Sequence, residues 1–199
     1  MRCEDLFYAN TTRYDKLAKE EIDTDYRVCE IEDRLQKRDI TNDVLRALPD
    51  WFGINDAIVE YVQKSQAMMF WAAYVADRPV GFLSLPQHSA YTSEIYCMGL
   101  HQEFHHRGIG MVLVQTCEAY CQEHSLEFLT VKTLDESRPD DAYAKTRRFY
   151  IARGVRPLEV SPTLWGDRNP CLFMAKCLSH AGSHPLSTTM LTTRPEDQA

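Results

Sequence analysis

A short run of histidine, arginine and glycine gives this sequence its clearest capacity for chemistry. It reads His105-His106-Arg107-Gly108-Ile109-Gly110, and it joins an apolar segment to a segment of helical periodicity. The first turn of a helix presents backbone N–H groups without intrahelical partners and the positive end of the helix dipole. Glycines allow the backbone to come close to an anion. The run is therefore a candidate phosphate or pyrophosphate site, with added positive potential from its basic side chains.

Two common phosphate-binding motifs do not describe this run. A dinucleotide fingerprint has the pattern G-x-G-x-x-G after a strand, and here only Gly108 and Gly110 are present. A P-loop has the pattern G-x-x-x-x-G-K-[ST], which the sequence lacks. A glycine-rich helix start that binds no ligand is the structural alternative, so the run alone leaves its function open.

The elements that must position this run follow from hydrophobic periodicity and from capping residues. The first helix is predicted from Thr41 and is broken by Pro49, and the second starts at Asn55 or Asp56. The last helix starts at Asp140 or Asp141 and ends before a glycine. A third helix follows the histidine–glycine run, and the predicted strands are 26–31, 68–76, 80–85, 94–100, 127–133, 155–160 and 171–177. This order predicts a mixed α/β domain with antiparallel strands before the third helix.

Composition places the chain among ordinary globular proteins. It has 199 residues, of which 44% are hydrophobic and 26% charged, and its formal net charge is −7. A net negative charge argues against a general nucleic-acid binder, which needs a basic face. No apolar run approaches the length of a membrane span, and the N-terminus lacks the apolar core of a secretory signal. Seven cysteines at scattered spacing indicate free thiols, so we expect a cytoplasmic protein.

The chain divides into three parts by composition. Residues 1–25 are polar and mixed and form an N-terminal extension in which no chemistry is evident. Residues 26–177 contain the predicted elements and form one domain. Residues 178–199 are rich in serine, threonine, proline and histidine, and we expect this tail to be disordered.

Two motifs in this order of elements resemble the GNAT acetyltransferase superfamily. The acyl-CoA pyrophosphate loop of that family reads [R/Q]-x-x-G-x-[G/A], and His105 stands at its first position, where Arg or Gln is usual. A later helix of the family reads N-x-x-A-x-x-[FL]-Y-x-x-x-G-[FV], to which residues 143–155 are similar. Tyr143 and Thr146 stand where the family usually has Asn and Ala. The resemblance covers roughly residues 26–177.

The resemblance implies a GNAT fold that binds acetyl-CoA as co-substrate and uses no metal. In this fold a central, mostly antiparallel, twisted sheet of about six or seven strands is splayed at the cofactor slot and flanked by helices. The amides of Met98, Gly99 and Leu100 would hold the pantetheine arm, and Gly99 would suit the bulge that splays the strand. Tyr143 would also contact the coenzyme. The pyrophosphate would be held by the amides of His105, His106, Arg107, Gly108, Ile109 and Gly110.

The resemblance also implies the catalytic residues. Acetyl transfer to an amine needs an acceptor for the amine proton, donors for the oxyanion and a proton for the leaving thiolate. Glu94 lies eleven residues before His105, which is the spacing of the general-base glutamate in histone-type GNAT enzymes. Tyr150 matches the tyrosine that lies near the coenzyme sulfur and could protonate the thiolate. The alternatives are a solvated glutamate at a strand end and a core tyrosine.

Cysteine and histidine offer other chemistry that the sequence does not favour. Cys97 could be a nucleophile, but no histidine partner is evident, so a small core residue is the favoured interpretation. Cys117, Cys121 and His124 lie at helical spacing and lack the paired CxxC clusters of a zinc site. Core packing is favoured for these positions as well.

Aromatic and acidic residues on two loops are candidates for acceptor binding. Trp51 and Phe52 lie between the first two predicted helices, and Trp165 and Asp167 lie between the last two strands. With Glu94 they would form a pocket of aromatic walls and carboxylates, although packed loop corners are the alternative for the aromatic residues.

The sequence therefore predicts an N-acetyltransferase that acts on the primary amine of a small molecule. The acetyl group would pass directly from acetyl-CoA to the amine within a ternary complex. A protein lysine or N-terminal acceptor, a longer acyl chain and a non-catalytic acyl-CoA-binding module remain open. We expect neither a nucleic-acid nor a membrane partner. Homodimers are common in the family, but the sequence does not decide the oligomeric state.

Overall fold

The computed structural model describes residues 26–178. The predicted extension and all of the predicted tail except Leu178 lie outside this range. Leu178 is buried, and its N–H donates to the Glu127 carbonyl at 2.8 Å. Leu178 therefore packs against the preceding strands, and the domain limits 26 and 177 stay a prediction.

The order of helices and strands is the predicted one, apart from a division of the fourth strand. The helices are α1 (Arg34–Arg46), α2 (Asn55–Ser65), α3 (Ile109–Glu123) and α4 (Asp141–Ala152), with a 3₁₀ turn at Gln102–Phe104. The strands are β1 (Tyr26–Glu30), β2 (Met69–Val75), β3 (Arg78–Leu85), β4 (Thr92–Ile95), β5 (Cys97–Leu100), β6 (Phe128–Leu134), β7 (Arg156–Ser161) and β8 (Cys171–Cys177). None of the helices in this range is long and apolar enough to cross a membrane.

The strands form two four-stranded sheets. Their orders are β1-β2-β3-β5 and β4-β6-β8-β7, and every pairing is antiparallel except that of β4 with β6. Trp71 lies opposite Leu83 in the first sheet, and Thr130 lies opposite Ala175 in the second. The mixed α/β class and the splayed sheet predicted from the sequence are confirmed.

The point at which the sheets separate differs from the prediction. The segment predicted as one strand over 94–100 is interrupted at Tyr96, after which the chain leaves β6 and pairs with β3. The bulge predicted at Gly99 is wrong, because Gly99 lies within β5 opposite Phe82. A Cβ atom at Gly99 would approach Val44 Cγ1 to 2.8 Å. The glycine therefore allows close packing of α1 on the strand.

Helices cover both faces of the first sheet. Successive side chains of a strand point to opposite faces, and in β3 Phe82 packs with α1 and α2 whereas Leu83 packs with α3. Phe70 and Phe82 stack with ring centroids 5.2 Å apart. The α3 side of the core also takes in the second sheet and Tyr150 of α4. Helix α3 contacts β2 and β3 of the first sheet, whereas α4 contacts β6 of the second.

Two helix starts follow from aspartate caps. Asp33 accepts a hydrogen bond from the Gln36 N–H at 2.7 Å, so α1 begins before the predicted start at Thr41. Asp140 accepts from the Tyr143 N–H at 3.0 Å and begins α4 as predicted. Helix α3 differs from both, since its N-cap is Gly108 and has no side-chain capping bond.

Candidate active site

A cavity of about 340 Å³ lies at the point where the two sheets diverge. One wall is the segment 95–100 and the facing wall is 131–133 of β6. The loop before α3 closes one side, and residues of α4, the α1–α2 loop and the β7–β8 loop close the others. Its size suits a small-molecule site. Every element predicted to carry a site residue reaches this cavity or its border.

The free edge of β5 faces the cavity. The His101 N–H donates to the Val80 carbonyl of β3 at 2.9 Å. Because backbone groups of an antiparallel strand alternate in direction, those of Leu100 and Met98 point to the opposite edge. The Leu100 carbonyl there accepts a bond from His105 Nε2 at 2.7 Å. The backbone of Met98 can therefore bond a ligand in the gap, whereas that of Gly99 is directed into the sheet.

The loop before α3 has the backbone geometry of an anion site. Gly108 has φ 81°, a left-handed conformation that favours glycine. The N–H groups of the first turn of α3 have no intrahelical acceptors, and no side chain caps them. A Cβ atom at Gly110 would lie 3.3 Å from Met98 Cε, which leaves little room there for a side chain. These features fit a pyrophosphate placed at the start of α3.

Glu94 is buried at the end of the second sheet and is held by two basic partners. Its side chain is 5% exposed, and Oε2 lies 2.7 Å from Lys132 Nζ and 2.6 Å from His88 Nε2. Lys132 lines the cavity, whereas Glu94 lies behind it. His88 is half exposed. The three residues connect the cavity wall to solvent through a buried carboxylate.

Tyr150 is the buried tyrosine of α4 that lines the cavity. Burial raises the pKa of Tyr150 well above its ordinary value, so its phenol stays neutral at physiological pH. In residues 26–178 the hydroxyl makes no hydrogen bond to a protein group. Thr133, on the facing wall, is also buried, and its Oγ1 lacks a partner within the same residues. Both residues line the cavity, and no protein group among residues 26–178 engages either hydroxyl.

A pair of hydrogen bonds fastens the α1–α2 loop to α4 across one side of the cavity. The Tyr143 hydroxyl donates to the Trp51 carbonyl at 2.9 Å, and Trp51 Nε1 donates to Thr146 Oγ1 at 3.1 Å. Burial raises the pKa of Tyr143 to about 12, so this hydroxyl keeps its proton. The Trp51 ring lies edge-on to His105, with centroids 5.9 Å apart. The two residues that depart from the α4 motif thus close the cavity with Trp51.

The comparison with protein families decides the identity of the fold. A profile of the Acetyltransferase (GNAT) family matches residues 26–150, which is more than half of the chain. The chain belongs to the GNAT acetyltransferase family. It is therefore an acyltransferase by family, and the predicted resemblance is confirmed. Comparison with curated protein sequences gives no match.

Solved structures show the same GNAT fold at low sequence identity. Ard1 from Thermoplasma volcanium is 16% identical with a TM-score of 0.63, and the match covers 78% of this chain and 99% of that one. An aminoglycoside 6′-N-acetyltransferase complexed with coenzyme A is 21% identical with a TM-score of 0.62, covering 79% and 99%. A GNAT acetyltransferase from Elizabethkingia anophelis with acetyl-CoA bound is 13% identical with a TM-score of 0.58, covering 78% and 99%.

The predicted coenzyme residues of this GNAT domain fall into two groups. Met98, Gly99, Leu100, His105, His106, Gly108, Gly110 and Tyr143 line the cavity. Arg107 and Ile109 are not among its lining residues. Arg107 is exposed and lies over the Phe104 ring at 5.2 Å, whereas Ile109 is buried in the core. The side chain of Ile109 therefore anchors the loop, and only its amide could reach an anion.

Some of the residues predicted to bind the acceptor line the cavity, and others do not. Trp51, Phe52 and Trp165 line the cavity. Asp167 is exposed on the β7–β8 loop and does not line it. Since Glu94 lies behind Lys132, neither of the carboxylates predicted for the pocket forms part of its wall.

The three cysteines considered for chemistry lie in packed positions. Cys97 is buried, and burial raises the pKa of its thiol, which keeps it protonated and a poor nucleophile. Cys117 and Cys121 are buried in the core on α3. Among residues 26–178 no group of histidine, cysteine and acidic side chains is arranged to hold a metal ion.

Four residues around the cavity were missed by the sequence analysis. Lys132 and His88 bind Glu94, and Tyr61 and Tyr96 line the cavity. A signal existed for Lys132, because it is the one charged residue of strand β6. The pairing itself spans 38 residues of sequence, and local patterns do not reveal such long-range partners.

Proposed function

We propose that this GNAT domain transfers an acetyl group from acetyl-CoA directly to the primary amine of a small molecule. The observation that carries the proposal is the cavity between the parted sheets. The start of α3 borders it on one side and aromatic side chains border it on another. Hydrogen bonds of Tyr143 and Trp51 cross one side, and this closure favours a small acceptor over a protein segment.

The coenzyme would be held by backbone groups along one path. The amides of 108–110 would bind the pyrophosphate, and the free edge of β5 at Met98 would bind the pantetheine arm. The thioester supplies an activated acetyl group when bound. Its carbonyl would lie near the break at Tyr96, where Thr133 Oγ1 and Tyr150 are free to bond it or the sulfur.

Glu94 would accept the amine proton. The amine nitrogen forms a bond to the acetyl carbon, the carbon–sulfur bond breaks, and the nitrogen loses its proton to the carboxylate. Lys132 lies between Glu94 and the cavity. The proton would therefore reach Glu94 either through the Lys132 ammonium group or past its side chain. His88, half exposed and 2.6 Å from Glu94 Oε2, would return the proton to solvent.

Tyr150 would donate to the leaving thiolate. Its raised pKa keeps the phenol protonated throughout the working range of pH, so it can give a hydrogen bond as negative charge develops on sulfur. A proton that it loses would be replaced from solvent after the products leave. In this proposal Tyr150 stabilises the departing group and Glu94 activates the attacking one.

A cytoplasmic location is part of the proposal. Within the described residues, Cys97, Cys117, Cys121, Cys171 and Cys177 are free thiols, which suits a reducing compartment. The partners we propose are acetyl-CoA and an amine, without nucleic acid or membrane. A homodimer would be compatible with this reaction.

Thermal melting with acetyl-CoA tests the proposal. A ligand at about a hundred times its dissociation constant adds about 2.7 kcal/mol, and the midpoint should rise by about 5 °C or more for a domain of this size. Release of free thiol on addition of a primary amine should follow. The absence of both effects would overturn the proposed function, and stabilisation without release would leave a coenzyme-binding module.

Replacing the Tyr150 hydroxyl should slow turnover without weakening coenzyme binding. We expect Tyr150→Phe to lower kcat about ten- to a hundredfold, because one donor to the developing charge is lost. The dissociation constant of acetyl-CoA should stay within about twofold. Tyr120→Phe is the control, since Tyr120 lies on α3 against Trp71 and outside the cavity. Wild-type kcat in Tyr150→Phe would return this residue to a packing role.

A further inference from the structure

The charges that face the cavity argue against a polycationic acceptor. Within residues 26–178 the charged or basic side chains on its walls are Lys132, Lys145, His105 and His106, and no aspartate or glutamate lines it. Glu94, the nearest buried carboxylate to the wall, is already bonded to Lys132 and His88. A molecule with several ammonium groups would meet lysines and no free carboxylate inside. Desolvation of its extra charges would then be uncompensated.

The walls away from the coenzyme loop are aromatic. Phe52 meets Tyr61 edge to face at 5.7 Å, and Tyr61 meets Tyr96 at 5.3 Å. Burial raises the pKa of both tyrosines, so they remain neutral. Trp165 of the β7–β8 loop also borders the cavity and is partly exposed. These rings offer flat apolar surface and π faces, which favour an aromatic group and one cationic or neutral amine.

An acidic groove lies outside the cavity and leaves the cavity walls without a carboxylate. Asp50, Asp140 and Asp141 border a separate groove that shares Trp51 and Lys145 with the cavity. Asp140 is engaged as the cap of α4. Negative charge in this groove attracts any protonated amine towards the neighbouring cavity. It therefore acts on aromatic and polycationic amines alike, and the choice between them lies inside.

We infer that the acceptor is a small monoamine that carries an aromatic ring, with the ring against the Phe52, Tyr61, Tyr96 and Trp165 walls. The inference rests on the proposed function and names its substrate class. It separates this chain from relatives named as aminoglycoside acetyltransferases, since aminoglycosides carry several ammonium groups. The ring would hold the amine at the break between β4 and β5, beside Lys132 and Tyr150.

The decisive experiment compares four amines with the wild-type protein and acetyl-CoA. The probes are 2-phenylethylamine, n-butylamine, spermidine and kanamycin, and the readout is the initial rate of thiol release. We expect kcat/KM for 2-phenylethylamine to exceed that for each of the other three by about tenfold or more, because only it fills the apolar walls. A preference for spermidine or kanamycin, equal values for the phenyl and butyl amines, or no turnover with any of the four would overturn the inference.

The same protein and amines distinguish failure of the aromatic-acceptor inference from failure of the proposed acetyltransferase function. Stabilisation by acetyl-CoA together with turnover of kanamycin or spermidine would retain an acetyltransferase and reject the aromatic acceptor. A lack of stabilisation by acetyl-CoA together with no thiol release would reject the proposed function itself.

A substitution in the β7–β8 loop tests where the aromatic ring of the acceptor binds. Trp165→Ala should lower kcat/KM for 2-phenylethylamine about tenfold, mainly through KM, because it removes contact with the bound ring. Leu164→Ala is the matched control, since Leu164 is half exposed on the same loop and does not line the cavity. The acetyl-CoA stabilisation should persist in both variants. Equal kinetics in Trp165→Ala and Leu164→Ala would remove Trp165 from the proposed ring site.

Discussion

Gly108→Glu is expected to weaken acetyl-CoA binding by at least about a hundredfold. The glutamate would place negative charge beside a pyrophosphate, and two like charges about 4 Å apart near a protein surface repel by roughly 4 kcal/mol. The side chain would also occupy space at the uncapped start of α3. Isothermal titration with acetyl-CoA measures the loss. The free-energy change of a hundredfold loss is about 2.7 kcal/mol, so the repulsion alone is sufficient.

The control for this variant must carry the same backbone strain. Gly154, after the end of α4, has φ 86°, close to the 81° of Gly108. Gly154→Glu therefore introduces the same residue into a left-handed position, but near Lys176 rather than at the coenzyme loop. We expect it to lower the melting temperature and to retain acetyl-CoA affinity within about threefold. Equal affinity in both variants would show that the 105–110 loop does not hold the pyrophosphate.

The course of the chain was predictable where local patterns determine it. The continuous apolar runs of β2 and β3, the Asp140 cap and the glycine before α3 each act within a few residues. The early start of α1 was missed, because its first turns are largely polar and depend on the Asp33 cap. Lys37 is held there by the Met68 carbonyl at 2.7 Å, a contact across 31 residues.

The break at Tyr96 could not be located from the sequence. Residues 95–100 read as one apolar strand, and the division depends on which neighbour each half pairs with. Ile95 pairs with Val131 of β6, whereas Cys97 pairs with Ser84 of β3. The sequence analysis predicted the bulge at Gly99, because glycine tolerates a distorted strand backbone. Gly99 is instead required by the close approach of Val44, which is a tertiary contact.

The coenzyme side of the site was more predictable than the acceptor side. Phosphate binding by a loop uses backbone amides in a short segment, so its signal is local. The acceptor side is assembled from distant loops and strands, among them Trp51, Tyr96 and Trp165. The pocket was expected to contain carboxylates, and the pairing of Glu94 with Lys132 removed the chief one from the wall. Such ion pairs decide the charge of a cavity and are set by the fold.

Glu94→Gln is expected to lower kcat by about a hundredfold or more and to remove the acid limb of the pH profile. An amide keeps the size of the carboxylate but cannot accept the amine proton, and general-base catalysis contributes about 10²–10⁴-fold. A general base must be deprotonated to act, so loss of the base removes the acid limb from the profile. The profile of log kcat against pH with saturating 2-phenylethylamine and acetyl-CoA measures this limb.

The neighbours of Glu94 define the rival explanation of the same loss. Lys132 and His88 both bond its Oε2 atom, so the substitution also releases a lysine at the cavity wall. If Glu94 only positions Lys132, kcat should fall while the acid limb remains. Glu159→Gln on the exposed strand β7 makes the same change of charge away from the cavity, and we expect wild-type kinetics from it. An acid limb that persists in Glu94→Gln would move the base role to another group, with His88 the first to test because it bonds Glu94 Oε2 and reaches solvent.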